Sequence, residues 1–120
     1  MSLKFRDWQI YKDLRKFRRE VIEKILPRIP KEERFELTSQ LKRALNSSIL
    51  NIAEGAYRAS DKDLAHFLNQ ADTSLNEVVA CFDICLDDEY IDENLHKKFT
   101  EKTENLTAQL AGFRKFLKNS

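Results

Sequence analysis

Apolar side chains return every three or four residues along this chain, and they do so in four separate stretches. In the first, Ile10, Leu14, Phe17, Val21 and Ile25 stand four, three, four and four apart. That spacing puts them on one face of an α-helix, whereas a half-buried strand would alternate. A second stretch holds Leu37, Leu41, Ala44, Leu45, Ser48, Ile49, Ile52, Ala53 and Ala56, and its small members let a neighbouring helix approach closely. A third runs through Leu64, Phe67, Leu68, Ala71, Leu75, Val78, Val79, Phe82 and Leu86. The fourth carries Leu95, Phe99, Leu106, Leu110, Phe113 and Leu117 at near-heptad steps. Four such stripes joined by short links predict an all-α, antiparallel up-down-up-down four-helix bundle, a single domain over residues 1–120. Turn formers are scarce in agreement: two Gly and two Pro are too few for the many turns of a sheet-rich fold.

Local signals set the expected boundaries. Asp7 is expected to cap the first helix, its carboxylate accepting from free backbone N–H groups, and Pro27 and Pro30 end it, because proline disfavours helical geometry in the residue before it. Lys31 to Glu36 reads as a charged connector with a short helical turn, and the second helix should then run to about Arg58. Ser60 is a good cap for the third, with Asp61 and Asp63 at the positive end of its dipole. Asp87 to Asp92 breaks the pattern, with Tyr90 and Ile91 packing over the bundle end. Between Val78 and Leu86 the third stripe widens, since Ala80, Cys81, Ile84 and Cys85 are apolar as well. A helix apolar over most of its girth needs cover on more than one side, from the bundle or from a second chain.

Little in the sequence reads as chemistry. No glycine-rich phosphate loop, HExxH or paired-cysteine metal pattern occurs, and His66 and His96 fall on charged, exposed faces with no motif around them. Cys81 and Cys85 read as reduced core or interface thiols. We therefore expect no catalytic residues, no metal and no cofactor. No apolar run reaches the ~18 residues of a membrane span, and the N-terminus lacks the apolar stretch of a signal peptide, so the cytoplasm is the expected compartment.

Charge is nearly balanced overall, at +1, but segregated along the chain. Residues 1–43 hold 13 Lys/Arg against 7 Asp/Glu, residues 44–93 hold 2 against 11, and residues 94–120 hold 6 against 2. Such a pattern suits a polyanion-binding face or head-to-tail contact between copies. Arg15, Lys16, Arg18 and Arg19 lie off the first stripe, and Lys42, Arg43 and Arg58 flank the second. If those faces adjoin they make a patch able to contact phosphates; apart, they are solvated helix faces. Asn51-Ile52-Ala53-Glu54-Gly55-Ala56-Tyr57-Arg58 departs from a generic helix, because an interior Gly costs about 1 kcal/mol relative to Ala. Asn51 and Glu54 sit beside core positions, so either a polar network fixes the register of the helices, with Gly55 admitting a close contact, or the segment faces a ligand. On the first reading Glu54 is buried and paired, and Glu54→Ala should cost roughly 3–5 kcal/mol.

Taken in order, Phe5 and Trp8, Phe35-Glu36-Leu37-Thr38-Ser39-Gln40-Leu41-Lys42-Arg43-Ala44, Ser48-Ile49, Asn51-Ile52-Ala53-Glu54-Gly55 with Arg58, and then Phe67-Leu68, Ala71, Ser74-Leu75 and Glu77 form a recognisable series. The series resembles the four-helix-bundle proteins encoded by intervening sequences inside bacterial 23S ribosomal RNA genes. A relative of that family is the accessory variability protein of diversity-generating retroelements. The resemblance covers nearly the whole chain, and its most specific part is LTSQLKRA followed by NIAEGxxR. It implies a bacterial four-helix bundle assembling as a homopentamer, with a role beside RNA or DNA and, by way of the retroelement relative, a reverse transcriptase as partner. It marks Gln40, Arg43, Asn51, Glu54, Gly55 and Arg58 as signature positions of mainly structural use. Two functions follow as expectations: a non-enzymatic, homo-oligomeric accessory protein that associates with nucleic acid, or an oligomeric protein-interaction scaffold with no nucleic-acid role.

Overall fold

The computed structural model describes residues 3–58 and 60–119. Four long helices, α1 (Gln9–Lys24), α2 (Leu37–Ala56), α3 (Asp61–Asp87) and α4 (Glu93–Lys118), make up most of it, and no strand occurs among the described residues. At 1.5 Å per residue the 27 residues of α3 rise about 40 Å, close to the 45 Å long axis of the molecule, whose other extents are 24 and 20 Å. The helices therefore lie side by side along that axis. α2 packs against α3 and α3 against α4, while α1 touches α2 and α4.

The stripes read from the sequence form the core. All five positions of the first stripe are buried, joined from α2 by Leu41, Leu45 and Ile52 and from α3 by Leu68, Leu75, Val78 and Phe82. Three rings meet at its centre: Phe17 of α1, Phe82 of α3 and Phe99 of α4 lie with centroids 6.1–6.4 Å apart. Removing a side chain of this size from water contributes about 1.5–3 kcal/mol, so three helices are tied at one point. On the widened part of α3, Cys81 and Cys85 turn into the core, while Ala80 and Ile84 stay exposed.

Helix ends follow local chemistry with one exception. Ser60 Oγ accepts from the Asp63 N–H at 3.1 Å, and Asp92 Oδ1 accepts from the Leu95 N–H at 2.8 Å, opening α3 and α4. α3 closes through Glu89, which takes φ = 61°: its N–H donates to the Leu86 carbonyl and the Tyr90 N–H to the Cys85 carbonyl. That pairing satisfies two end carbonyls and usually employs Gly, since an L side chain in this conformation is strained. Ile91 is buried and Tyr90 packs against the core, its hydroxyl donating to Glu33 Oε2 at 3.0 Å. The carboxylate favours the neutral phenol, which raises the Tyr90 pKa, with desolvation adding to it. The exception is the start of α1. Asp7 does not cap it, because residues Lys4–Asp7 form a short 3-10 helix of their own and Trp8 occupies the flanking position with no side-chain cap bond. Ring packing holds this end instead: Trp8 meets Phe113 edge-on at 5.2 Å and Phe5 meets Tyr11 at 5.0 Å. α2 stops at Ala56, two residues short of the expected Arg58.

Candidate functional site

The two flanks of α2 are built differently. Toward α3 the contact is close. A Cβ placed on buried Gly55 would stand 2.7 Å from Phe67 Cβ and 3.0 Å from Leu64 Cδ1. Ser74 of α3 brings its hydroxyl within 2.9 Å of Ser47 Oγ and 3.1 Å of the Gln70 carbonyl, and Asn51 Nδ2 donates to the Ser47 carbonyl and hydroxyl at 2.8 and 3.1 Å. A polar network of Asn51, Ser47 and Ser74 thus spans the seam.

Glu54 has no part in it. Its side chain is 58% exposed and forms an i,i+4 ion pair with Arg58 at 3.0 Å, so the expectation of a buried, paired carboxylate is corrected. Within an α-helix Glu54 lies about 60° from Asn51, far enough round the cylinder to leave the seam. Arg58 carries its guanidinium over the Phe67 ring at 4.9 Å, which anchors it beside α3.

Toward α1, α2 leaves a groove, which continues into a depression over the outer face of α2 itself. Two adjoining depressions of about 700 and 600 Å³ share Asn46 and Leu50 on their floor. Lys12, Arg15, Lys16, Arg18 and Arg19 of α1 line the second, and Arg34, Lys42 and Arg43 line the first, with Glu54 its one acid. Arg18 Nε donates to Asn46 Oδ1 at 2.7 Å, the bond that spans the groove. The basic faces of α1 and α2 therefore do adjoin. Arg58 lies past the end of this arrangement, in a shallower depression with Leu50, Ala53, Glu54 and Tyr57, and Gln40 is exposed on α2 outside all three. Lys12, Arg34 and Asn46 are additions that the sequence reading passed over. Lys12 falls one helical turn before Arg15 and Lys16, which was the available signal.

Two cations of α4 are matched across helix interfaces. Lys102 reaches Glu20 at 3.3 Å between α4 and α1, and Arg114 reaches Asp72 at 3.3 Å between α4 and α3. His96 is not the exposed residue expected: four-fifths of its side chain is covered, and its Nε2 lies 2.7 Å from Asp83 Oδ1. Among the described residues, no groove cation has a carboxylate within ion-pair distance. Unpaired like charges at close quarters repel each other and raise the local positive potential, which attracts a polyanion. Such a surface can bind phosphates.

The two thiols are poor reactants. Burial, reinforced by the charge of Cys81 and then by nearby acids, pushes the Cys85 thiol from its ordinary 9.0 to about 11, and burial with the adjacent Glu77 raises Cys81 too. A thiol that keeps its proton is neither nucleophile nor metal ligand at neutral pH. No group of three His, Cys, Asp or Glu side chains able to hold a metal ion occurs among the described residues, and no helix there is long and apolar enough to cross a membrane.

In a comparison with protein families, the family model of the 23S rRNA-intervening sequence proteins matches residues 6–112. No curated protein matches the chain.

Proposed function

The chain belongs to the family of 23S rRNA-intervening sequence proteins, and we propose on that premise that it is a non-enzymatic accessory protein that associates with RNA or DNA through the groove between α1 and α2. Eight basic side chains beside a single acid, none of them paired with a carboxylate, carry this reading. Arg15, Lys16, Arg18, Arg19, Lys42 and Arg43 contact phosphates, with Lys12 and Arg34 beside them. Arg58 shields Glu54 at one end. The protein works in the bacterial cytoplasm as a homo-oligomer, with a pentamer as the expected form and a reverse transcriptase as the kind of partner it serves.

The fold behind this is one up-down-up-down bundle. Supporting it, Gly55 late in α2 meets Phe67 early in α3, while Ser47 meets Ser74 further along both. In the same sense Trp8 early in α1 meets Phe113 late in α4, and Glu20 meets Lys102.

Phosphate binding is tested by its salt dependence. Each neutralised phosphate releases counterions, so affinity falls linearly with salt on logarithmic axes. A mobility shift at ~50 mM salt that disappears as salt rises is the expected result, with reversal of Arg15 and Lys16 to Glu abolishing it. Absence of any shift at ~50 mM salt removes the proposal.

One observation favours a second reading, an interaction scaffold without nucleic acid. Glu77, Asp83, Asp87, Asp88 and Glu89 leave α3 and its end acidic and exposed around Ile84, a complement to the basic groove of another copy. Light scattering separates the two: charge-driven assembly dissociates in rising salt, while an oligomer held by apolar contacts does not.

A further inference from the structure

Two aromatic rings stand in water at the ends of α2. Phe35, just before the helix, is 81% exposed, and Tyr57, just after it, is 72% exposed. Neither belongs to the core, and the Arg34 guanidinium lies 4.7 Å from the centre of the Phe35 ring. Arg34 lines the basic groove, and Tyr57 lines the depression that continues it through Leu50 and Glu54. Rings and cations thus form one continuous surface along α2. The 20 residues of α2, between the rings, rise about 30 Å, with Lys42 and Arg43 on the way and the α1 cations alongside.

This arrangement discriminates between kinds of nucleic acid. In a duplex the base faces are stacked on each other, and only phosphates and groove edges are offered to a protein. A single strand can turn its bases out onto rings while its phosphates follow a basic track, and such stacking is tolerant of sequence because every base has a π-face. We propose that the surface binds single-stranded nucleic acid in preference to duplex, with Phe35 and Tyr57 as stacking platforms at either end of the phosphate track. The inference rests on the nucleic-acid reading above and adds the strandedness of the ligand and the residues that select it. The Glu54 carboxylate, which would repel the passing backbone, is neutralised by Arg58 at 3.0 Å. At the stacked spacing of about 3.4 Å per nucleotide, a strand of about ten nucleotides spans the two rings.

The test uses the full chain and a fluorescein-labelled oligouridine of about 12 nucleotides, alone and annealed to its complement, at ~50 mM salt. Anisotropy should show the single strand bound at least tenfold more tightly than the duplex. Phe35→Ala and Tyr57→Ala should each weaken single-strand binding about tenfold and leave duplex binding and the salt slope unchanged, while Tyr57→Phe retains affinity. Both rings are exposed, so these variants fold, and a thermal melt verifies it. Equal affinity for the two ligands, or ring variants that bind like the parent, overturns the stacking inference while leaving the phosphate reading intact. A change in particle mass in either Ala variant would assign that ring to an interface between copies and likewise overturn it. No binding of either ligand sinks both readings together.

Discussion

α2 presents two contrasting flanks to its neighbours. Against α3 it offers Ala44, Ser47, Ser48 and Gly55, and the helices close until no room is left for one added carbon at Gly55. Against α1 it offers Asn46, Ile49 and Leu50, faced by five cations, and the helices touch sparsely enough to leave a groove that runs on past Lys42 and Arg43. The contrast shows how side-chain size and charge set the spacing between helices. Small residues let dispersion contacts multiply across a seam, whereas long hydrated cations hold their heads in water and keep the neighbouring backbone away. One helix can therefore be glued on one flank and open on the other, and only the open flank is free to bind.

Four substitutions test that contrast, taken in order of expected effect. Gly55→Ala should destabilise by about 1–3 kcal/mol despite the better helix propensity of Ala, because Phe67 Cβ sits on the α3 backbone and cannot swing away; urea unfolding measures it. Gly112→Ala on α4 should do the opposite and stabilise by about 1 kcal/mol, since a Cβ there meets nothing within 4 Å. If both changes stabilise, the tight seam is not real. Ser74→Ala removes the hydroxyl facing Ser47 and should cost about 1 kcal/mol, read as a lowered melting temperature. Glu54→Ala breaks only an exposed i,i+4 pair and should cost no more than about 0.5 kcal/mol. A loss of several kcal/mol there would mean that the seam reaches round α2 as far as Glu54.

Much of the fold was legible because helical order is local. A stripe with period 3.6 is written in consecutive residues, and Ile10 to Ile25 or Leu64 to Phe82 needed no knowledge of their neighbours. The Ser60 cap was readable for the same reason, as its hydroxyl serves an N–H three residues on. The start of α1 was not, because what fixes it is a ring on α4, 105 positions away, and not a nearby carboxylate. The basic face was half legible: the charges and their position off each stripe are local, but their convergence depends on two helices meeting.

The sequence by itself determined four amphipathic helices, their approximate ends, the buried face of each and the segregation of charge along the chain, since each is set by interactions within a few residues. Only the tertiary structure decided which polar residues of α2 enter the seam and which face water. One step along a helix turns a side chain by 100°, so neighbours as close as Asn51 and Glu54 meet opposite fates once α3 has taken its place.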